Sequence, residues 1–183
     1  MSKACIFLAD GFEEIEGLTV VDILRRAGVE IHMVSITGET KVTGSHGIEI
    51  KCDTCIGQEN FSEIELFVLP GGMPGTKNLG ACKALKELLT ASFEAGKKLA
   101  AICAAPSVLG DLGILKGKKA CCYPGFEEHL TGAQVVFDQV AQDGNVTTSR
   151  GMGTAIPFAL SLVSQMVSEE KAQELAQSII FKV

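Results

Sequence analysis

The sequence predicts an α/β fold, a flavodoxin-like or Rossmann-like sandwich in which helices cover both faces of a mostly parallel central sheet. Short apolar runs alternate with helical patterns along the chain. The first four runs lack the polar alternation of strands that have one face in solvent, which indicates strands buried on both faces. Gly28 and Gly96 follow two of the helical patterns, where a C-terminal stop is expected. Such strands, joined by helices, form parallel sheets covered on both sides.

The predicted elements follow one another in a regular order. Strands are predicted at residues 4–9, 31–36, 66–69, 99–102, 120–123 and 146–148. Helices are predicted at residues 13–27, 83–95, 104–112, 154–167 and 169–179. The glycine-bounded turn 44–47, between residues 41–43 and 48–50, predicts a hairpin that projects from the main sheet. Because ligands bind at the carboxyl ends of parallel strands, the loops 11–16, 70–75 and 103–106 form the candidate site.

Length and composition favour a single globular domain over residues 1–183. Hydrophobic residues make up 46% and charged residues 21% of the chain, and no apolar run approaches the roughly 18 residues that a membrane span needs. The apolar stretch at the N-terminus ends at Asp10, too early for a signal peptide, so a cytoplasmic protein is predicted. A net charge of −6 with scattered Lys and Arg disfavours nucleic-acid and membrane-surface binding, which leaves a small molecule as the expected partner.

The seven cysteines are an odd number in a chain that needs no disulfides at this length, and most are expected to be buried apolar side chains. Cys52 and Cys55 have CxxC spacing, but there is no second pair and no neighbouring histidine, so no metal site is predicted. The glycine-rich loop 70–75 lacks the ending of a phosphate-binding loop. We therefore expect no nucleotide and no other cofactor.

Cys103 follows an apolar strand and opens a helix, with alanines two residues before it and two residues after it. Small residues at those positions are what the tight turn of a nucleophile elbow requires. Free N–H groups and the dipole at a helix N-terminus stabilise a thiolate, so a lowered Cys103 pKa is expected. The N–H of Ala104 is placed to bind an oxyanion. The alternative, a buried cysteine that ends a core strand, is about as consistent with this segment alone.

Three glutamates follow the first strand, and helical phase separates them. At roughly 100° per residue, Glu14 falls with Asp22 on the polar face, whereas Glu13 and Glu16 fall on the apolar stripe. Burial there raises a carboxyl pKa, which lets the group hold a proton and donate a hydrogen bond to a thiolate. A favourable interaction with the helix dipole is the simpler explanation for all three.

Two further features lie at the ends of predicted strands. Gly72 either presents a backbone N–H to the cysteine pocket or serves only as a turn with positive φ, and the two interpretations carry about equal weight. Tyr123 ends the strand after the elbow helix, where its hydroxyl is within reach of the same pocket, although packing is the commoner role of such a tyrosine.

Four ordered motifs resemble those of the ThiJ/PfpI superfamily, and within it the branch of the parkinsonism-associated deglycase and bacterial ThiJ-like proteins. They are GFEEIE at 11–16, LPGG at 69–72, AAICAAP at 100–106 and TSRGMGT at 148–154, so the resemblance spans essentially the whole chain. It implies a flavodoxin-like homodimer. It also implies Cys103 as a reactive, oxidisable nucleophile, Glu16 as its protonated carboxyl partner, and Gly72 and Ala104 as backbone donors to an oxyanion.

Other residues join the candidate site on the same grounds. Gly71, Glu13 and Tyr123 are candidate substrate-binding residues. Tyr123 stands where the branch often has histidine, Met152 where proline is usual, and His46 where an arginine is thought to approach the pocket of the other subunit. These departures affect the proton-transfer step. His46 is therefore a candidate contribution to the pocket across a subunit interface.

The resemblance implies a cofactor-independent glyoxalase or deglycase. It would use Cys103 on 2-oxoaldehydes such as methylglyoxal and glyoxal, or on their early adducts with proteins and nucleotides. The alternative is a cysteine-based oxidative-stress sensor or chaperone without turnover, and the motifs alone do not separate these two functions. A cysteine amidohydrolase or peptidase is less favoured, because Ala104 stands where the peptidase-like branch has histidine.

Overall fold

The central layer of the computed structural model, which describes residues 2–182, is a seven-stranded sheet. The strands of the molecule are β1 (Lys3–Leu8), β2 (Glu30–Ser35), β3 (Lys41–Thr43), β4 (Glu49–Lys51), β5 (Thr54–Cys55), β6 (Leu66–Leu69), β7 (Lys98–Ile102), β8 (Lys119–Ala120), β9 (Gln134–Val135), β10 (Val140–Asp143) and β11 (Val146–Ser149). The helices are α1 (Glu14–Arg26), α2 (Gly75–Ala81), α3 (Lys83–Glu94), α4 (Pro106–Asp111), α5 (Ala155–Met166) and α6 (Glu169–Ser178).

The strand order of the main sheet is β10-β11-β7-β6-β1-β2-β5. All neighbouring strands are parallel except β10 and β11. The chain first winds from β1 to β2 on one side and then continues with β6 and β7 on the other side, so the winding direction changes between β1 and β6. A ligand crevice forms at such a switch point, outside the carboxyl ends of the strands. The predicted flavodoxin-like fold class is confirmed.

Two apolar layers cover the sheet, because successive side chains of a strand point to opposite faces. Ile6 of β1 packs with Phe158 in the layer formed by α1, α5 and α6. Its neighbour Phe7 packs with Leu89 in the layer formed by α2, α3 and α4. Within residues 2–182, no helix combines the length and the apolar character that crossing a membrane requires.

The predicted hairpin forms from β3 and β4, which pair antiparallel with Val42 opposite Ile50. Several hydrogen bonds tie it to the loop after β1. The backbone N–H of Thr43 donates to the Asp10 carboxylate over 2.9 Å, and the N–H of Gly11 donates to the Thr43 carbonyl over 2.8 Å. The hairpin therefore projects over the carboxyl end of β1, beside the crevice.

The predicted strand at residues 120–123 is wrong beyond Ala120. Strand β8 ends there and pairs with β9 in a separate small sheet. The N–H of Cys121 donates to the Thr148 hydroxyl over 2.9 Å instead of to a neighbouring strand. The N–H of Tyr123 donates to the Cys103 carbonyl over 2.8 Å. The N–H groups that a longer strand would pair with its neighbour therefore donate to the Thr148 hydroxyl and the Cys103 carbonyl instead.

Three helices, α1, α4 and α5, begin later than the sequence suggests, and α5 is displaced by one residue, to Ala155. Helix α1 starts at Glu14, and Glu13 is its extended N-cap residue with a ψ of 115°. The prediction that Glu13 belongs to the apolar stripe of this helix is therefore wrong. Helix α4 starts at Pro106 rather than at Ala104, which fits the preference of proline for the first helical position. The two residues that follow Cys103 thus belong to the turn.

Candidate active site

Cys103 occupies a strained turn between β7 and α4. Its φ is 64°, in the left-handed region that non-glycine residues rarely adopt, and such a conformation costs on the order of 1–3 kcal/mol. Hydrogen bonds to two distant segments hold the turn. The N–H of Cys103 donates to the Ser149 carbonyl over 3.0 Å, and its carbonyl accepts from Tyr123. The small neighbours Ala104 and Ala105 are buried. These features match the nucleophile elbow that the sequence predicts.

Glu16 approaches Cys103 from the first turn of α1. It is 1% exposed, and the N–H of Gly71 donates to its Oε2 over 2.9 Å. Its carboxyl faces the Cys103 thiol. A Cβ atom on Gly71 would lie 2.6 Å from the Cβ of Cys103 and 2.7 Å from Oε2 of Glu16. Only glycine therefore permits this close approach of β6, β7 and α1.

Burial raises the pKa of Glu16 to about 7, and the neighbouring Glu13 carboxylate adds a smaller effect in the same direction. Hydrogen bonds from Cys103 and from the Gly71 N–H act in the opposite direction and lower the pKa only in part. The prediction of a buried glutamate with a raised pKa is confirmed for Glu16. Near neutral pH this carboxyl can both accept and return a proton.

The expected lowering of the Cys103 pKa is wrong. Burial and the adjacent Glu16 carboxylate raise the pKa of the thiol to about 12, while the N–H groups of Ala104 and Gly72 lower it only in part. The prediction considered the helix N-terminus but not the loss of water around the sulfur. When the proton passes to Glu16, the repulsion disappears and the carboxyl becomes a donor to the thiolate. Cys103 and Glu16 thus titrate as one coupled pair.

The glycine-rich loop brings its backbone against the N-cap of α1. The N–H of Glu13 donates to the Gly71 carbonyl over 2.9 Å. Gly72 has a φ of 92°, and a Cβ atom there would lie 2.3 Å from the Glu13 nitrogen. Gly72 therefore meets both expectations at once, because it needs a positive φ and also directs its N–H toward the Cys103 sulfur.

Helical phase predicts that Glu14 lies on the solvent-facing side of α1. This prediction is wrong, because Glu14 is only 5% exposed. The turn between β3 and β4 covers it. The N–H of His46 donates to Glu14 Oε1 over 2.8 Å, His46 Nδ1 lies 3.0 Å from Oε2, and the Ser45 hydroxyl donates to Oε2 over 3.3 Å. Burial opposes ionisation, but hydrogen bonds from the His46 side chain and from the backbone N–H groups of Glu14, His46 and Ile48 outweigh it and lower the pKa of Glu14 to about 2. The hydrogen bond to Glu14 correspondingly raises the pKa of His46.

Within residues 2–182, Glu13, Glu14 and His46 are the one group whose potential metal-ligating atoms converge, all within 4.8 Å of one another. The His46 ring nitrogen lies 3.0 Å from Glu14 and 3.7 Å from Glu13. An ion pair between His46 and the two carboxylates accounts for this convergence. Cys52 and Cys55 are both buried and lie outside the group.

The candidate residues open into one cleft of about 370 Å³ at the switch point of the sheet. Cys103, Glu16, Glu13, Gly72 and Ala104 lie along it. The structure also places Tyr123 and His46 on its rim, so His46 lines the cleft of its own protomer. Gly71 lies behind the wall, where it supports Glu16. Every predicted site residue is thus at this cleft or directly behind it.

Three lining residues were not assigned to the pocket from sequence: Met73, Phe126 and Met152. Met73 belongs to the loop 70–75 and Met152 to the motif at 148–154, and both segments had been singled out from the sequence. Their position at the ends of strands could therefore have predicted that both methionines line the cleft. Phe126 lies in the turn after Tyr123, and its approach depends on contacts between distant segments. A second cavity of about 320 Å³ between α5 and α6 lacks a nucleophilic cysteine.

The chain is similar to known proteins over nearly its whole length. A model of the DJ-1/PfpI family matches residues 2–165. The chain is 37% identical over 183 residues to Protein dj-1beta of Drosophila melanogaster, and the match covers 98% of each chain. It is 31% identical over 168 residues to Glutathione-independent glyoxalase DJR-1.2 of Caenorhabditis elegans, covering 91% of this chain and 89% of that protein.

A solved structure of oxidized Toxoplasma gondii DJ-1 superposes with a TM-score of 0.96 at 33% identity over 100% of both chains. Two plant relatives are longer. Protein DJ-1 homolog B and homolog A of Arabidopsis thaliana are each 38% identical to the chain, which spans only 42% and 45% of their lengths.

Proposed function

The chain belongs to the DJ-1/PfpI family, and from that premise we propose that it is a cofactor-independent glyoxalase- or deglycase-like enzyme. Its substrates are 2-oxoaldehydes such as methylglyoxal and glyoxal, or their early adducts with proteins and nucleotides. One observation carries the proposal: Cys103 and the buried Glu16 lie side by side where they line an open cleft. Similarity to a protein named as a glutathione-independent glyoxalase supports it.

The first step forms a bond between the Cys103 sulfur and the aldehyde carbon. The thiol proton passes to the Glu16 carboxylate, whose raised pKa suits it to take up and return a proton near neutral pH. The π electrons of the aldehyde move onto its oxygen. The N–H groups of Gly72 and Ala104, which face the sulfur, are the proposed donors to that oxyanion. Glu16 then gives this proton to the oxyanion, which produces the hemithioacetal and leaves the Glu16 carboxylate ionised for the next step.

The second step moves hydrogen between adjacent carbons. Glu16 takes the proton from the former aldehyde carbon and returns a proton to the neighbouring carbonyl carbon, so that one carbon is oxidised and the other is reduced. No external oxidant or reductant is needed. The product is a thioester of a 2-hydroxy acid, and water cleaves it to release the acid and restore the Cys103 thiol.

We further propose that the protein works as a homodimer on small molecules. Ile15 and Ile48 are about half exposed and lie together beside Glu13, Glu14 and His46. Exposed apolar side chains in one patch are typical of a protein interface. A second copy seated there would bring its surface to the rim of the cleft.

Replacement of Cys103 tests the proposed chemistry. Cys103→Ala is expected to reduce methylglyoxal consumption without added glutathione to the uncatalysed background, because Cys103 is the cysteine that lines the cleft beside Glu16. Cys82→Ala is the matched control, since Cys82 and Cys103 are the partly exposed members of the seven free cysteines. Formation of lactate, measured alongside loss of methylglyoxal, follows the whole reaction. Full turnover by Cys103→Ala would rule the mechanism out.

The partial exposure of Cys103 also favours a second candidate function, a redox sensor without turnover. A solved relative of similar structure is described as oxidized. Two equivalents of peroxide would convert the thiol first to sulfenic and then to sulfinic acid, releasing water at each step. Mass spectrometry after mild peroxide treatment, combined with the methylglyoxal assay, separates the functions. Selective oxidation of Cys103 without measurable turnover identifies the sensor.

A further inference from the structure

The motif at 148–154 supplies no group to the proposed reaction, but it lies beside the nucleophile at the end of β11. Within the sheet, Ser149 of β11 pairs with Ile102, the last residue of β7. Cys103 comes next, and its N–H continues this pairing by donating to the Ser149 carbonyl over 3.0 Å. Because the φ of Cys103 is 64°, the chain then turns away from the sheet. The Ser149 carbonyl therefore joins the strained turn to the sheet.

Thr154 holds Ser149 in place through a hydroxyl contact. The Ser149 hydroxyl donates its single proton to the Gln139 carbonyl over 2.7 Å, so Thr154 is the donor in the 2.7 Å contact between the two side-chain oxygens. Thr154 also closes the turn at Gly151, whose N–H donates to Oγ1 over 3.1 Å and whose carbonyl lies 2.9 Å from it. Ser149 is fully buried, where an unfilled hydrogen-bonding group is costly. Thr154 thus supports the residue that anchors Cys103.

Thr154 also connects this anchor to the helices that carry Glu16. It immediately precedes α5 as the N-cap residue of that helix. Phe158 of α5 and Val20 of α1 belong to one buried apolar cluster, and the Cys103 side chain packs against it. Glu16 lies in the first turn of the same α1. A shift at Thr154 therefore changes the position of Cys103 relative to Glu16.

Thr148 supports the other backbone anchor of the nucleophile. It is fully buried, and its Oγ1 accepts from the Cys121 N–H over 2.9 Å. One residue separates Cys121 from Tyr123, so this hydrogen bond directs the segment whose Tyr123 N–H donates to the Cys103 carbonyl over 2.8 Å. Hydroxyl groups of one motif thus support the contacts of both the N–H and the carbonyl of Cys103.

We infer that Thr148 and Thr154 are positioning residues for the proposed reaction, which hold the strained turn so that the Cys103 thiol faces Glu16. The inference deepens the proposed function, on which its kinetic test rests. Left-handed backbone at a non-glycine residue persists only where the surrounding contacts enforce it. Without the two hydroxyl groups, the turn relaxes, and the thiol no longer meets the Glu16 carboxyl in the geometry that proton transfer requires.

Replacement of each threonine by valine tests the inference, because valine is nearly isosteric and lacks the hydroxyl. Thr148→Val and Thr154→Val should each lower kcat for methylglyoxal about tenfold or more, while KM changes less than about twofold. Thr148→Ser and Thr154→Ser keep the hydroxyl and should retain wild-type kcat. Thr147→Val is the matched control, since the Thr147 hydroxyl is also buried on β11 but accepts from Gln165 of α5. It should lower the free energy of unfolding and leave kcat unchanged.

The pH profile of Cys103 alkylation tests the same positioning without turnover. Iodoacetamide is the probe, and Cys82→Ala is the parent protein, because Cys82 is the other partly exposed cysteine. In this parent, Thr148→Val and Thr154→Val should give the profile of Glu16→Gln, since the displaced thiol no longer titrates together with Glu16. The serine variants and Thr147→Val should keep the parent profile. A loss of stability alone would leave the profile unaltered.

Wild-type kcat together with the parent profile in both valine variants would overturn the inference. An equal loss of kcat in Thr147→Val, or in the serine variants, would also overturn it. Ser149→Ala removes the hydroxyl that receives the Thr154 proton, and it provides the same test if Thr154→Val does not fold. Absence of methylglyoxal turnover in the wild type would instead overturn the proposed function, while the alkylation profiles still decide on positioning.

Discussion

Glu14 and Glu16 lie two residues apart in the first turn of the same helix, and both are buried. Their acidities differ widely, with a pKa of about 2 for Glu14 and about 7 for Glu16. The neighbours of Glu14 are the His46 side chain and backbone N–H groups, all of which donate. Glu16 has one backbone donor and a thiol that carries its own proton.

The difference shows that loss of water does not by itself determine the charge of a buried carboxyl. Glu14 gains enough hydrogen bonds to remain ionised, which makes it a structural anchor for the turn between β3 and β4. Glu16 gains too few, which makes it a group that exchanges protons near neutral pH. Variants at these two positions should therefore separate effects on catalysis from effects on stability.

The largest expected effect is on catalysis by Glu16. Glu16→Gln keeps an acceptor for the Gly71 N–H but cannot accept the thiol proton, so kcat for methylglyoxal should fall about a hundredfold or more. The pH dependence of Cys103 alkylation should change in the same variant, because the coupled titration is lost. Unaltered kcat together with an unaltered alkylation profile would contradict the proton-transfer role of Glu16.

The next effect is a pH-dependent change in stability. The native pKa of Glu16 lies above the ordinary value of 4.5, so the folded state binds more protons than the unfolded state between about pH 4.5 and 7. Wild-type stability should therefore fall by up to about 3 kcal/mol across that window, relative to Glu16→Gln. The free energy of unfolding in denaturant, measured at several pH values for both proteins, checks this. A constant difference between them would contradict the raised pKa.

A smaller effect is expected from Glu14. Glu14→Ala removes the acceptor for His46 and Ser45 and should destabilise the protein by about 2 kcal/mol at pH 7. Because the pKa of Glu14 is lowered, this contribution should persist above about pH 4.5 and disappear as the pH falls toward 2. Glu170→Ala removes an exposed acid from the first turn of α6 and controls for the helix dipole. If both variants lose the same free energy of unfolding, the hydrogen bonds from His46 and Ser45 to Glu14 do not stabilise the protein.

The sequence predicted the parts of the molecule that depend on local pattern. Apolar runs and glycine stops located the sheet and its helices, and the small residues around Cys103 predicted the elbow. The position of Glu16 followed from helical phase, because α1 continues regularly through it. The strand ends then placed Gly71 and Gly72 at the same crevice.

What the sequence did not predict depends on contacts between distant segments. Glu14 is buried by a turn about thirty residues later, which helical phase cannot include. The strand after Ala120 ends because a threonine of β11 competes for the next N–H. The direction of the Cys103 pKa depends on how much water the assembled pocket excludes, which no single segment reveals.

Both backbone hydrogen-bonding groups of Cys103 are engaged, the N–H with Ser149 and the carbonyl with Tyr123. The position of the Cys103 backbone is therefore fixed by these hydrogen bonds and does not depend on the thiol. A serine or selenocysteine at this position would inherit the same backbone geometry, and only the reacting atom would differ. The elbow thus offers a frame in which the nucleophile's intrinsic chemistry can be varied while its placement is kept constant.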